Sequence, residues 1–247
     1  MSTTQKPSRL LEFTPPISTA SSPRPEVESS AALVRYLDAV FPLADTANTQ
    51  HRESVLNELC GLFRQWVRQV CVAKGVFRDL EAAAEAGGAM FVSGSFKLGV
   101  NSPDSDIDVI CIAPLHVTRE DFFDSLLANL RAQPGVDRLL PIPDTKVPII
   151  EMQYHGVSID LGFASVPLNS VPADINILDD AILAGVDERS MVALNGPRAN
   201  EIIYSAAPNP ETFKVLLRAL RYWGKVRGLN RFVCYATRSA RLFETYL

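Results

Sequence analysis

From about Gln50 to Lys74 apolar side chains return at three-and-four spacing (Val55, Leu59, Leu62, Phe63, Trp66, Val67, Val70), which predicts a long helix with a core-facing stripe and Gly75 as its stop. Ser29 to Leu43 predicts a shorter amphipathic helix before it. Past Gly87-Gly88 the texture changes: Ala89 to Ser93 reads as a short apolar strand broken by Gly94-Ser95, and Ile107 to Ala113 as a second strand ended by Pro114. Thr118-Arg-Glu-Asp121 has the form of a capping box and opens a helix with Phe122, Phe123, Leu126, Leu127 and Leu130 on one face. Two extended segments follow, Lys146 to Tyr154 and Val157 to Ala164, joined at His155-Gly156. The remainder predicts helices over Asp174 to Leu183, Glu188 to Leu194 and Pro210 to Arg227. Strands gather in the middle and helices at both ends, the arrangement of an α+β fold.

Composition narrows this picture modestly. The 247 residues are 47% hydrophobic and 21% charged, ordinary for a globular chain able to bury a core. Residues 1 to about 28 are rich in Ser, Thr and Pro and predict an irregular arm. The first residues lack the apolar core of a secretory signal, and Cys60, Cys71, Cys111 and Cys234 are scattered without a CxxC pair, so a zinc site or disulfide frame is not expected and an intracellular setting is. The net charge of -4 argues against bulk attraction to nucleic acid. Lys214, Arg218, Arg221, Lys225, Arg227, Arg231, Arg238 and Arg241 nevertheless form a stretch free of acids, either a solvated helix face or a wall for phosphates.

The chemistry concentrates at Asp106-Ile107-Asp108, at the head of an apolar strand. Alternation puts Asp106 and Asp108 on one face, about 6.5–7 Å apart along the chain, with Ile107 and Val109 turned toward a core. Ionised carboxylates held together repel, and a divalent cation removes the conflict; hard oxygen donors suit magnesium or manganese. Asp160 stands alone among apolar neighbours in Val157-Ser-Ile-Asp-Leu-Gly-Phe163, so pairing that strand beside the first would add a third carboxylate. Three such groups can hold two ions about 3.5–4 Å apart. The competing reading is a solvated acidic pair at a strand end. Gly94-Ser95 offers close backbone approach for a phosphate, and Asp104, in the Ser102-Pro-Asp-Ser105 turn, reads as a cap. His51, His116 and His155 give neither a zinc set nor a catalytic triad.

Phe91-Val-Ser-Gly-Ser-Phe-Lys-Leu-Gly-Val100 followed by Asp106-Ile-Asp108 resembles the signature of DNA polymerase beta-type nucleotidyltransferases. Pro15-Pro-Ile-Ser-Thr-Ala20, Ala113-Pro-Leu-His-Val-Thr-Arg-Glu-Asp-Phe-Phe123, Val147-Pro-Ile-Ile150, Leu194-Asn-Gly-Pro-Arg198 and Arg218-Ala-Leu-Arg-Tyr-Trp223 are similar in order and spacing to eukaryotic poly(A) polymerases, over roughly residues 13 to 230. That resemblance implies a mixed-sheet nucleotidyltransferase domain over 29–205 and the start of a helical central domain over 206–247. It implies transfer of AMP from ATP to an RNA 3′ end, with two Mg2+ or Mn2+ ions held by Asp106, Asp108 and Asp160. It further implies nucleotide contacts from Ser93, Gly94, Ser95, Ser102, Arg221 and Asn230, a nuclear location, and 3′-end processing factors as partners.

The chain departs from that pattern in places. Glu151 stands where the resemblance implies a lysine near the nucleotide, Arg221 where it implies a lysine on the phosphates, and Asn230 where it implies a tyrosine. Ser239-Ala240 falls where a Gly-Gly loop is implied, and Leu247 falls ahead of the rest of the central domain and the RNA-binding domain that the resemblance implies. Two alternatives stay open: a weak or inactive nucleotidyltransferase that binds nucleotide or a partner, and a related transferase using another nucleoside triphosphate.

Overall fold

The structure, a computed structural model, describes residues 18–229; Asn230, Cys234 and Ser239-Ala240 lie outside them. It comprises two compact units, one up to Tyr36 and one from Leu37 onward. Helix α1 (Arg24–Val40) supplies the regular structure of the first. It begins ahead of Ser29, so residues 24–28 are helical rather than irregular. Pro25 sits in the first turn, where its missing N–H costs nothing. Glu26 N donates to Pro23 O at 3.0 Å, and Arg24 pairs with Glu28 one turn on at 2.9 Å.

The second unit is built around a five-stranded mixed sheet in the order β1-β2-β5-β4-β3, comprising β1 (Ala89–Ser93), β2 (Ile107–Pro114), β3 (Val136–Ile142), β4 (Ile149–Tyr154) and β5 (Val157–Val166). The central pair β2–β5 is parallel and the others are antiparallel. The turn between β4 and β5 falls at His155-Gly156, with φ 47° and 77°, the left-handed pair a tight hairpin needs. β3 escapes the sequence pattern because Val136-Asp-Arg-Leu-Leu-Pro-Ile142 does not alternate cleanly; it is an edge strand, where Pro141 is tolerated.

Each face of the sheet buries its own set of side chains. Ile107, Val109 and Cys111 of β2, Ile150, Met152 and Tyr154 of β4, and Ile159, Leu161 and Phe163 of β5 pack against the stripe of helix α2 (Thr46–Ala73), including Val55, Leu59, Phe63, Trp66 and Val67. Asp45 caps α2 by accepting from Asn48 N at 2.7 Å. The opposite face carries Ala89, Ile110, Ile112 and Ala164, covered by Val171, Ile175, Ile177, Ile182, Ala193 and Leu194.

The single-turn helix α3 (Gly94–Lys97) follows β1, and α4 (residues 119–131) follows β2. Thr118 and Asp121 close the expected capping box, and the middle of α4, Phe122–Leu126, widens to π geometry. The helix expected over Asp174 to Leu183 shrinks to a 3-10 turn at Asp180–Leu183. Asn176 and Asp179 side chains accept from Leu178 N and Ala181 N, local bonds that compete with helix. Helix α5 (Glu188–Ala206), by contrast, runs far past Leu194, straight through buried Pro197, because its packing on β5 and β1 outweighs the lost backbone bond. Helix α6 (Pro210–Val226) ends the described chain much as its periodicity predicts. No helix among the described residues is long and apolar enough to cross a membrane.

Phe163 is 1% exposed, stacked near Phe122 with ring centroids 5.0 Å apart. Phe163→Ala is expected to lower unfolding free energy by about 3–5 kcal/mol, read by urea denaturation; a change below about 1 kcal/mol would contradict this packing.

Candidate active site

The sheet register assembles the site. Ser93 pairs opposite Asp108, Asp108 opposite Asp160, and Asp160 opposite Glu151. Residues in register share a face, and neighbouring strands lie about 4.8 Å apart. The four therefore form one row across β1, β2, β5 and β4, at the edge of the face whose inner rows are apolar core. Asp108 and Asp160 are half-buried; Asp106, one residue before β2, is exposed.

Asp106, Asp160 and Glu151 line one open pocket of about 480 Å³ together with Asp104, Arg138 and Ser158. Asp104, expected as a turn cap, thus contributes to the pocket. Arg138 is the one basic residue among the described residues that line it, set against four carboxylates. Such an excess of negative charge calls for a cation. No three His, Cys, Asp or Glu side chains among the described residues converge into a ready-made cage. The donor set still fits a hard divalent ion, since magnesium keeps several waters and is commonly held by one or two carboxylates plus substrate phosphate oxygens.

Asp108 is placed by a glycine. Gly94 has φ 67°, and a Cβ there would collide with Asp108 Oδ2. The carboxylate lies over the bare α-carbon, which ties the Gly-Ser turn to the Asp-x-Asp strand physically. Gly94 N donates to Asn200 Oδ1 of α5 at 3.4 Å, Ser93 is buried, and Ser95 O accepts from Val100 N at 2.9 Å.

The loop from Leu98 to Asp106 is held from two sides. Ser102 O accepts from Ser105 N at 3.1 Å and Ser105 Oγ at 3.0 Å, closing a turn. Arg52 of α2, 4% exposed, donates from Nη1 to Ser105 O at 2.8 Å and from Nη2 to Pro103 O. Burial pushes its pKa below the ordinary value, while Asp104 and Asp106 pull it back up. Arg52 has no place in the sequence reading, although its signal was present: it extends the core stripe of Val55 and Leu59 by one step of three.

Further along α2, Glu58 accepts from Tyr154 Oη and lies 3.6 Å from His155 Nε2, while His51 Nε2 donates to His155 O at 3.0 Å. Burial, then the bond to Glu58, pushes the Tyr154 phenol up from its ordinary value. The hairpin that carries Glu151 and Asp160 is fastened to α2 by these contacts.

Among the described residues, most of the basic stretch is spent on the chain itself. Lys214 pairs with Glu211 at 2.9 Å. Arg218 is buried against Asp38 at 2.7 Å and Phe41 O at 2.8 Å, and Lys225 sits 5.4 Å above the Phe41 ring. Arg221 donates to Val100 O at 2.5 Å, at the base of the loop leading to Asp106 rather than in the pocket lining.

The sequence matches the family of poly(A) polymerase nucleotidyltransferase domains over residues 13–206. It is 38% identical over 241 residues to a poly(A) polymerase of Schizosaccharomyces pombe, covering 95% of this chain and 42% of that one. It is 35% identical over 240 residues to one of Candida albicans, covering 94% and 43%. With the nuclear poly(A) polymerase 1 of Arabidopsis thaliana it shares 35% identity over 230 residues, 93% of this chain and 32% of the relative. The chain belongs to the poly(A) polymerase nucleotidyltransferase family, and it spans less than half the length of these relatives.

Gly94→Ala is expected to cost about 1–2 kcal/mol for the left-handed backbone alone, and to displace Asp108 and weaken Mn2+ binding. Urea denaturation and Mn2+ titration read the two effects. A variant with wild-type Mn2+ affinity would show that Asp108 does not depend on this void.

Proposed function

We propose that the chain catalyses template-independent addition of AMP from ATP to an RNA 3′-hydroxyl, releasing pyrophosphate. The observation that carries this reading is the register pairing of Asp108 with Asp160, beside the Gly94 turn, in a chain of the poly(A) polymerase family. Asp106, Asp108 and Asp160 are assigned to two Mg2+ or Mn2+ ions. When bound, these ions supply charge neutralisation at the triphosphate and acidify the attacking hydroxyl. Asp108 is fixed beneath Gly94, and Asp160 faces the pocket, where its oxygen can orient the RNA 3′-hydroxyl and accept its proton. Ser93, Gly94, Ser95 and Ser102 are assigned to the side of the nucleotide phosphates, with Arg221 and Asn230 as further nucleotide contacts. The region from about residue 206 is read as the start of a helical second domain. By likeness to the nuclear relatives the place of action is the nucleus, with 3′-end processing factors as partners.

Glu151 favours a second reading. It places a further carboxylate directly beside Asp160, where polyanionic substrates would approach. Repulsion there lowers substrate affinity, and a chain of this kind can bind nucleotide with little turnover.

Purified chain with an oligo(A) primer, ATP and Mg2+ or Mn2+ is expected to extend the primer. Extension with UTP or CTP instead would assign another nucleotide, and nucleotide binding without extension would support the second reading. Asp106→Ala or Asp108→Ala is expected to lower extension by more than the roughly 10–100-fold typical of residues that merely support a ligand, with the fold retained by circular dichroism; wild-type incorporation by either variant would overturn the assignment. Glu151→Lys is expected to lower the KM for ATP, and an unchanged KM would separate Glu151 from the nucleotide.

A further inference from the structure

Asp106 is exposed to solvent and lies one residue ahead of β2, outside the paired register that places Asp108 and Asp160. Its position depends on the loop before β2. The first part of that loop is bonded at Val100 O by Arg221 and at Asn101 O by Ala44 N, whereas the part next to Asp106 is bonded to helix α2 through Arg52, whose guanidinium donates to the carbonyls of Pro103 and Ser105. The fork of an arginine presents its donors in a fixed plane, so two bonds to one loop define orientation as well as distance. The other end of the clamp is equally fixed. Arg52 is 4% exposed on a 28-residue helix that is capped by Asp45 and packed through Val55, Leu59 and Phe63 into the sheet.

We infer that Arg52 is a positioning residue for Asp106, holding the loop of residues 102–106 so that this carboxylate can take its part in the two-ion site assigned above to Asp106, Asp108 and Asp160. The inference rests on the metal assignment proposed above. Its logic is mechanical, and it opposes the simple electrostatic expectation. A buried positive charge near Asp104 and Asp106 disfavours a divalent cation, so removing it would tighten metal binding if charge were its whole effect. Loosening the loop acts in the other direction, because Asp106 then has to be ordered at the moment the ion binds. The two roles therefore predict opposite signs for one measurement.

That measurement is the dissociation constant for Mn2+ alone, read by electron paramagnetic resonance of the free ion, on the whole chain and on Arg52→Met, Arg52→Lys and Asp106→Asn. Circular dichroism first establishes native helix content for each. Arg52→Met is expected to weaken Mn2+ binding about tenfold, the scale of a lost supporting contact. Arg52→Lys keeps the charge but not the fork, and is expected to fall between Arg52→Met and the parent chain. If Asp106→Asn weakens binding while folded Arg52→Met binds as well as the parent or more tightly, the inference is overturned and the metal assignment stands. If Asp106→Asn itself leaves Mn2+ binding unchanged, the metal assignment falls and the inference with it. Should Arg52→Met fail to fold, Arg52→Lys decides: weakened binding supports the clamp, and parental affinity refutes it.

Discussion

Two aspartates in register on adjacent strands are a standing electrostatic conflict, and the rest of this structure is arranged so that the conflict is kept. Asp108 and Asp160 stand side by side in the register of the parallel β2–β5 pair, with Glu151 next in line on β4. The inner rows of the same strands are apolar and sealed, so the register cannot slip by one residue without driving these acids toward the core and Ile107, Val109 or Leu161 out of it. Folding energy from the two hydrophobic faces thereby fixes charges that would otherwise separate. A divalent cation is the natural relief.

Helix α2 links core and chemistry. Its apolar stripe packs one face of the sheet, Arg52 grips the loop that ends at Asp106, and Glu58 and His51 fasten the hairpin bearing Asp160. Gly94 completes the arrangement from the other side by leaving room for the Asp108 carboxylate. Two of these supports come from α2 and the third from the turn after β1, and each acts on a different acid.

Much of this was legible in the sequence, for identifiable reasons. An apolar run ended by Pro114 exposed β2, the lone acid among apolar neighbours marked β5 and Asp160, and the turn residues exposed the His155-Gly156 hairpin. Edge strand β3 was hidden because half of it faces solvent and Pro141 interrupts it. The region 174–183 read as helix because propensity does not register the local side-chain bonds of Asn176 and Asp179. The helix read over Glu188 to Leu194 fell short, because burial carries α5 on through Asn195-Gly-Pro197 to Ala206. The acid-free basic stretch suggested either solvent or phosphate, and neither describes Arg218, which is buried on Asp38 and Phe41. Pairwise tertiary bonds of that kind have no periodic signature.

The central claim is that Asp108 and Asp160 share a cation at the edge of the sheet. Crystals of the chain grown with Mn2+ and a non-hydrolysable ATP analogue, measured for manganese anomalous scattering, address it directly. The expected result is an anomalous peak within coordination distance of carboxylate oxygens from both residues. A peak bound elsewhere, or Asp160 turned away from a manganese held by Asp108, would contradict it.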